Sequence, residues 1–406
     1  MWQWAGAVRA FARMPTLATM RQSRRWVTAD VGHPPSDKSC YVESEAQKGR
    51  IVNLDGRVFW QQACGDTDRV YSDLCLKWDV ILNGPGVQGP FPGSIEKLRS
   101  DKRSERKITD IRRFAEDVKD GDIVVLRLGT SKVLGIGEIV GKYEWHDAFG
   151  DIDGWDLQHV RRARWLWRPT QGPKEFSTYA MKQGDTTQKL DDGPVKKWVV
   201  EQLLDVPDSP RQVFPIPSQL DDKEIGISEI SEFLFDHGVA STSITNLVNE
   251  IGELTRIAKW YQKSGMPSEH ETVAYLVVPL LRALGWTPQR MAVEWNHVDL
   301  ALFSSVPRSD SSLRVVVEAK KMDNSCLSAH SQATFYAQGK RDCERLIVTD
   351  GLRYGVFVRC GEDKFDLHAY MNLTRLRRNY SVYAAGGAEE ALLAMAPEWK
   401  PEKASE

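Results

Sequence analysis

Residues 298–303 read VDLALF, residues 315–321 read VVVEAKK and residues 331–338 read SQATFYAQ. The first two are apolar runs of strand length, and each carries charge: Asp299 in the first, Glu318 and Lys320 at the end of the second. Alternate residues of a strand project to one face. Glu318 and Lys320 therefore leave the strand end together, with Ala319 on the other side. The β-branched run Val315–Val317 predicts a central strand, and an acid and a lysine so near the interior require a reason. Two carboxylates and an ammonium at the mouth of a small sheet suit phosphodiester hydrolysis. Carboxylate oxygens hold Mg²⁺; the ion and the lysine stabilise developing charge and prepare a water for attack at phosphorus.

The flanks extend this reading. Gln332 and Tyr336 are four apart, hence on one helix face, placed to position the lysine, the water or a phosphate. Upstream, SEHETVAYLVVPLLRALGW (268–286) predicts a helix. At about 100° per residue, Glu269 shares a face with Val273, Leu276, Leu280 and Leu284, whereas Glu271 points the opposite way. Glu269 is therefore the candidate third acid. Lys321 reads as a solvated neighbour or a phosphate contact.

Asp299, Glu318 and Lys320, followed by the Gln332/Tyr336 pair, resemble the PD-(D/E)XK nuclease superfamily with its QxxxY motif. The likeness is to the nuclease domain of type I restriction enzymes and related restriction proteins. Residues 268–286 resemble that family's opening helix, and LIVTDGLRYGVFV (346–358) its closing hairpin. The resemblance spans roughly residues 255–370. One departure is Val298, where the family usually carries a proline. The resemblance implies a restriction-endonuclease-like α/β fold, Mg²⁺ (or Mn²⁺ in its place) on Asp299 and Glu318, and catalysis by these residues with Lys320, Gln332, Tyr336 and Glu269.

The N-terminal half differs in kind: ten of the fourteen tryptophans lie in the first 200 residues. IVNLDGRVFWQQA (51–63) has a DG turn between apolar runs, a hairpin signal. Residues 96–118 predict one charged helix from the spacing of Ile108, Ile111, Phe114, Ala115 and Val118. DGDIVVLRLG and KVLGIGEIVGKYEW then read as two strands joined at Gly129–Lys132, with RRARWLW after a polar loop. Asp120 to Trp167 resembles the EVE-like branch of PUA-type barrels, which implies a reader of modified bases in DNA or RNA. Its candidate aromatics are Trp60, Trp78, Tyr143, Trp145 and Trp155. Trp145 and Trp155 lead because they bracket the acidic loop HDAFGDIDG, where Asp147 and Asp151 could bond a base or serve as turn acids. Arg161, Arg162 and Arg164 are the candidate phosphate contacts; the basic run Arg99–Arg113 is interleaved with acids and reads as a solvated helix.

The expected organisation is an N-terminal extension (1–30), an EVE/PUA-like reader (31–204), a proline-marked linker with a connecting helix (205–242), and a nuclease domain (243–398). Ile244, Leu247, Val248, Ile251, Leu254 and Ala258 predict a helix face, and Gly387–Leu393 a last helix. A net charge of −2 over 406 residues announces no nucleic-acid binding and excludes none. Six scattered cysteines without a CxxC pair speak against a zinc ribbon and a disulfide scaffold, and favour a reducing cytoplasm. No apolar run reaches the ~18 residues of a membrane span, and no GxxxxGK[ST] loop supplies a motor. The arginine-rich first 25 residues read as an extension or a targeting peptide.

The expectation is a modification-dependent, type IV-like restriction endonuclease acting on duplex DNA against phage, dimeric at least when bound, since two strands need two sites. The alternatives are an RNA-directed nuclease and a nucleic-acid reader on an inactive nuclease fold.

Overall fold

In the computed structural model, the described residues are 52–401, apart from 67, 103, 209 and 217–221. The expected N-terminal extension lies outside them. Two sheets organise the chain. The first contains β1 (Phe59–Ala63), β2 (Val80–Asn83), β3 (Ile123–Leu128), β4 (Lys132–Trp145), β5 (His159–Trp167), β6 (Lys174–Glu175) and β7 (Thr187–Lys189). Helices α1 (Ser72–Lys77), α2 (Ser94–Ser100), α3 (Glu105–Arg112) and α4 (Pro194–Leu203) accompany it. Strand order is β2-β5-β4-β3-β1-β7, with β6 paired to β4. Alternation buries both faces: Val124 and Leu126 enter one core cluster, Ile123 and Val125 another.

Three expectations change here. Asp55–Gly56 does turn, but only the second apolar run becomes a strand, and β1 pairs in parallel with β3 rather than with its predecessor. The single helix expected over 96–118 is two, broken at 101–104, where Ser104 caps α3 by accepting from the Lys107 N–H. The expected barrel is a strand path whose end strands β2 and β7 share no backbone pairing among the described residues. Side chains cross the gap instead: Gln62 Nε2 on β1 donates to the Leu82 carbonyl on β2 (2.8 Å), and Asn83 Nδ2 on β2 to Thr187 Oγ1 on β7 (3.3 Å).

The second sheet contains β8 (Met291–Trp295), β9 (Val298–Phe303), β10 (Leu313–Ala319), β11 (Arg345–Thr349), β12 (Arg353–Gly361), β13 (Lys364–Asn372), β14 (Asn379–Tyr380) and β15 (Ala385–Gly386). Its order is β14-β15-β13-β12-β11-β10-β9-β8, with β10 and β11 parallel. Its helices are α5 (Ile227–Asp236), α6 (Ser241–Ser264), α7 (Glu269–Thr272), α8 (Val278–Ala283), α9 (His330–Ala337) and α10 (Ala388–Met395). Leu300, Leu302, Val315 and Val317 face a core built with α5, α6, α8 and α10. Ala301, Phe303 and Val316 face the opposite core, against α9. A mixed α/β architecture with two sheets is therefore plain.

The halves meet through buried polar groups. The loop between β4 and β5 turns through left-handed Asp151 (φ +74°), Asp153 (φ +46°) and Gly154 (φ +88°) and enters the second half. Asp151 accepts from the Tyr370 and Tyr380 hydroxyls (3.3 and 2.9 Å) and from Asn372 Nδ2 (3.0 Å). Asp153 accepts from Ser325 Oγ and from the Cys326 N–H, and Arg353 Nη1 donates to the Asp153 carbonyl (3.0 Å). Any Cβ on Gly154 would overlap the Arg353 guanidinium. Val382 of the second half sits in the first half's core and accepts from Trp78 Nε1 (2.9 Å). All described residues fall in one compact unit.

Asp151→Ala should strand two tyrosine hydroxyls and an amide and cost on the order of 3 kcal/mol. Urea denaturation should show one transition at a lowered midpoint. Two separate transitions, the second unmoved by the substitution, would make the halves independent.

Candidate functional site

Strand alternation carries Asp299, Glu318 and Lys320 to the face of the second sheet covered by α9. Glu318 is 1% exposed and ends a strand buried on both faces. Its Oε1 lies 3.6 Å from Lys320 Nζ, and its Oε2 has no hydrogen-bond partner among the described residues. Asp299 Oδ2 accepts from the Ala319 N–H (2.8 Å), which ties β9 to the end of β10. Lys320 Nζ donates to Gln332 Oε1 (2.9 Å), and Gln332 Nε2 to Tyr336 Oη (3.3 Å). One chain of contacts thus runs from Glu318 through Lys320 and Gln332 to Tyr336.

Burial raises the Glu318 carboxyl to a pKa of about 8; the Asp299 charge adds to this, Lys320 opposes it, and Glu269 adds further. Glu269 is exposed at the start of α7, yet its charge reaches Glu318. Glu271 is used otherwise: its Oε2 accepts from the Ser268 N–H (2.8 Å) while Ser268 Oγ accepts from the Glu271 N–H (3.2 Å), a capping box. Beyond α7 the helix passes through a π-helical turn at Val273–Val277 before α8.

The sequence reading missed the rim of this site. Asp299 and Tyr336 line a cleft with Glu294, Asn296 and His297. Asn296 (φ +50°) and His297 (φ +72°) form the two-residue turn between β8 and β9, since Trp295 pairs with Val298. The Asn-His pair between two short runs was the available signal, weaker than the usual Asn-Gly.

Among the described residues, no group of three or more His, Cys, Asp or Glu converges to hold a metal ion. Asp299 and Glu318 are a pair. Mg²⁺ is commonly held by one or two carboxylates, with water and substrate phosphate completing its shell. The unpartnered, buried Glu318 Oε2 fits such an ion.

The candidate residues of the first half lie differently. Arg161, Arg162 and Arg164 are all buried, so their assignment as phosphate contacts is corrected. Arg161 donates to the carbonyls of Phe114 (3.0 Å), Ala115 (2.7 Å) and Val118, closing the turn that follows α3. Arg162 donates to the Trp78 and Phe214 carbonyls, and Arg164 pairs with Glu138 (2.6 Å). Trp155 is also corrected: it lies under the Arg69 guanidinium (4.7 Å) with its edge to Tyr71 (6.0 Å) and packs on the core. Trp60 is 1% exposed and donates to Asp122 (2.7 Å), a core role.

Trp145 is the aromatic that lines a cleft between the two halves. Its Nε1 donates to Asp147 (2.9 Å), and its ring meets His159 edge-on (5.2 Å). Burial pushes His159 down to about 4, and its Nδ1 contacts the Tyr143 hydroxyl at 2.9 Å. Asp151 serves the contact between the halves instead of a base.

A family model described as a domain of unknown function (DUF8426) matches residues 71–189. No curated protein matches the chain. Among solved structures, the crystal structure of the YTH domain of the Zygosaccharomyces rouxii MRB1 protein in complex with N6-methyladenosine RNA is similar over 43% of this chain and all of that one. The identity is 13% and the TM-score 0.20, too low to carry an argument. Among the described residues, no helix is long and apolar enough to cross a membrane.

The raised Glu318 pKa has a testable sign. Between the ordinary 4.5 and about 8, the folded chain keeps a proton that the unfolded chain has lost. Stability therefore falls as pH rises through that window, by at most ~1.4 kcal/mol per pH unit. Glu318→Gln should raise the Tm more at pH 8 than at pH 5. A shift equal at both values would show that Glu318 ionises normally.

Proposed function

We propose that this chain is a divalent-metal-dependent nuclease whose first half reads nucleic acid, with DNA bearing a modified base as the favoured substrate. The observation that carries the reading is the buried Glu318 carboxylate, one oxygen unpartnered, beside Asp299 and within reach of Lys320. A buried acid in that state is costly, and a bound cation removes the cost.

Asp299 and Glu318 would hold Mg²⁺, with Mn²⁺ as a substitute. The ion would supply Lewis-acid stabilisation of the phosphoryl oxygens and lower the pKa of a bound water. The remaining work belongs to side chains. Lys320 supplies a positive charge against the developing charge on phosphorus. Gln332 fixes the Lys320 ammonium, and Tyr336 holds the Gln332 amide. Glu269 adds negative charge beside the pair. Trp145, in the cleft between the halves, is the base-stacking candidate that remains of the expected reader pocket.

Metal binding offers a readout independent of cleavage. Burial favours the protonated form of Glu318, so Mg²⁺ binding should release protons. Titration calorimetry in two buffers of different ionisation enthalpy would detect it, and Glu318→Gln should abolish it. Wild-type chain should cut in Mg²⁺ and fail in Ca²⁺, whose larger ion relaxes the geometry. Asp299→Ala, Glu318→Ala and Lys320→Ala should each lower cleavage by at least ~10²-fold with Tm measured alongside. Unmodified DNA, cytosine-modified DNA, phage DNA and RNA as parallel substrates separate the targets. Wild-type rates in Lys320→Ala would sink the assignment, and cleavage of RNA alone would move it to an RNA nuclease.

A further inference from the structure

The cleft between the halves holds two buried polar side chains with unanswered hydrogen-bonding groups. Gln158 is 4% exposed; among the described residues its Nε2 reaches only Asp156, at 3.4 Å, and its Oε1 has no partner. Arg377 is 2% exposed; among the described residues its Nε and Nη1 have no partner and it pairs with no carboxylate. The ring of Tyr380, 5.5 Å away, covers its guanidinium on one side. Leaving a buried acceptor and a buried guanidinium unanswered is expensive.

The two groups share one space. Gln158 and Trp145 line the larger part of the cleft, Arg377 the adjoining part, and Asp147, Glu224 and Arg375 line both. Gly150 lies where they converge. A Cβ there would sit 2.7 Å from Gln158 Nε2, 3.0 Å from Arg375 Nη1 and 3.1 Å from Arg377 Nη2. The backbone at Gly150 is ordinary (φ −78°), so conformation does not demand glycine; close approach of these three side chains does.

The chemistry of the walls defines an occupant. Trp145 offers a ring whose plane is fixed by Asp147 and His159. Gln158 Oε1, packed beside the cleft-lining Gly86, is a buried acceptor. Arg377 offers buried cationic donors. Arg375 is already engaged by Glu224 (2.6 Å) and Asp156 (3.6 Å). An occupant needs a flat ring, an N–H donor on its edge and one compact anion. The acids Asp147, Asp222 and Glu224, with Asp151, Asp156 and Asp323 further along the walls, oppose a polyphosphate; a single phosphate is the most that Arg377 can answer.

We propose that this cleft binds one nucleotide unit whose base carries an exocyclic amine, the base stacked on Trp145, its amine donating to Gln158 Oε1, and its phosphate on Arg377. The inference deepens the reading of the first half as a nucleic-acid reader and rests on it. It places the reading site on both halves, not on the first sheet alone. A free nucleoside monophosphate and a nucleotide turned out of a strand present the same groups.

The test is calorimetric titration of the full chain without divalent metal, so that nuclease activity plays no part. Probes are AMP, CMP, UMP and adenosine, then an eight-nucleotide single strand of dA and the same strand in a duplex. AMP and CMP should bind at least ~10-fold tighter than UMP, and AMP at least ~10-fold tighter than adenosine. Trp145→Leu should weaken AMP ~10-fold or more, as loss of one base stack does. Arg377→Gln should erase the preference for AMP over adenosine. Should Arg377→Gln fail to fold, Gln158→Glu serves: it keeps the acceptor, so AMP binding should persist and UMP should weaken further. Tighter binding of the oligonucleotides than of AMP assigns the source to a strand; the reverse assigns it to the free nucleotide. Equal affinity for AMP and UMP, or no nucleotide binding at millimolar concentration, overturns the inference. Mg²⁺-dependent cleavage persisting alongside that result would leave the nuclease reading intact.

Discussion

The carboxylates of Asp151 and Asp153 fix the relation between the two halves. Each is buried, each sits on a left-handed backbone, and each is answered by donors from the other half. Non-glycine residues in that conformation persist where the surroundings over-determine them, and here the donors do so. A fully satisfied buried network rigidifies, whereas a half-satisfied one is worse than an apolar contact. The consequence reaches the candidate nuclease site. Residues 321–329 join Lys320, just past β10, to α9 with its Gln332, and Asp153 grips that connection at Ser325 and Cys326. Asp323 is held as well, its N–H on Asp350 (3.1 Å) and its carbonyl under Arg69 (3.1 Å). The first half thus helps set the Lys320–Gln332 contact, and a tether between free modules is the wrong picture of this chain.

Satisfied networks make the unsatisfied atoms informative, but an orphaned atom is no site by itself. Arg345 shows why. Its Nε and Nη2 have no partner, burial pushes it down to about 10, and it lies in the interior over Trp399 (5.4 Å) with Nη1 on the Ala396 carbonyl (3.0 Å). None of the clefts described above reaches it. Glu318, Gln158 and Arg377 differ because each stands at a cleft or beside a second functional group: Asp299 and Lys320 for the first, Trp145 and Gly150 for the others. Adjacency, not the missing partner, separates a binding group from a structural cost.

The second half was the more legible in sequence. Its strands are buried on both faces, so they appear as continuous β-branched runs, and charges at their ends stand out. Asp299, Glu318, Lys320, Gln332 and Tyr336 are brought together as period two in strands and the i, i+4 spacing in helices require. The helical period placed Glu269 inward and Glu271 outward, but both are exposed: Ser268 engages Glu271 in a capping box, the π-turn at Val273–Val277 interrupts the period, and Glu269 acts on Glu318 through its charge alone. The rim residues Glu294, Asn296 and His297 were not legible, because their role depends on which way a two-residue turn swings.

The first half hid its logic because its charged residues face inward. RRAR on β5 looks like a basic patch, yet Arg161 closes a helix end, Arg162 ties down residue 214 and Arg164 neutralises Glu138. Spacing along a strand states which residues share a face; it does not state whether another segment covers that face. Here residues 113–118 cover Arg161, and Phe214 and Asp208 cover Arg162 and Arg164 on the other face. The same uncertainty applied to the tryptophans: Trp145 and Trp155 bracket one loop in sequence, but the loop enters the second half and lays Trp155, half-buried, against the core. Contacts across 200 residues of chain, such as Arg353 to Asp153, therefore decide which aromatic faces a cleft. What that loop leaves beside Trp145 is a space walled by both sheets, and a group bound there would touch the segments that hold the candidate nuclease site in register.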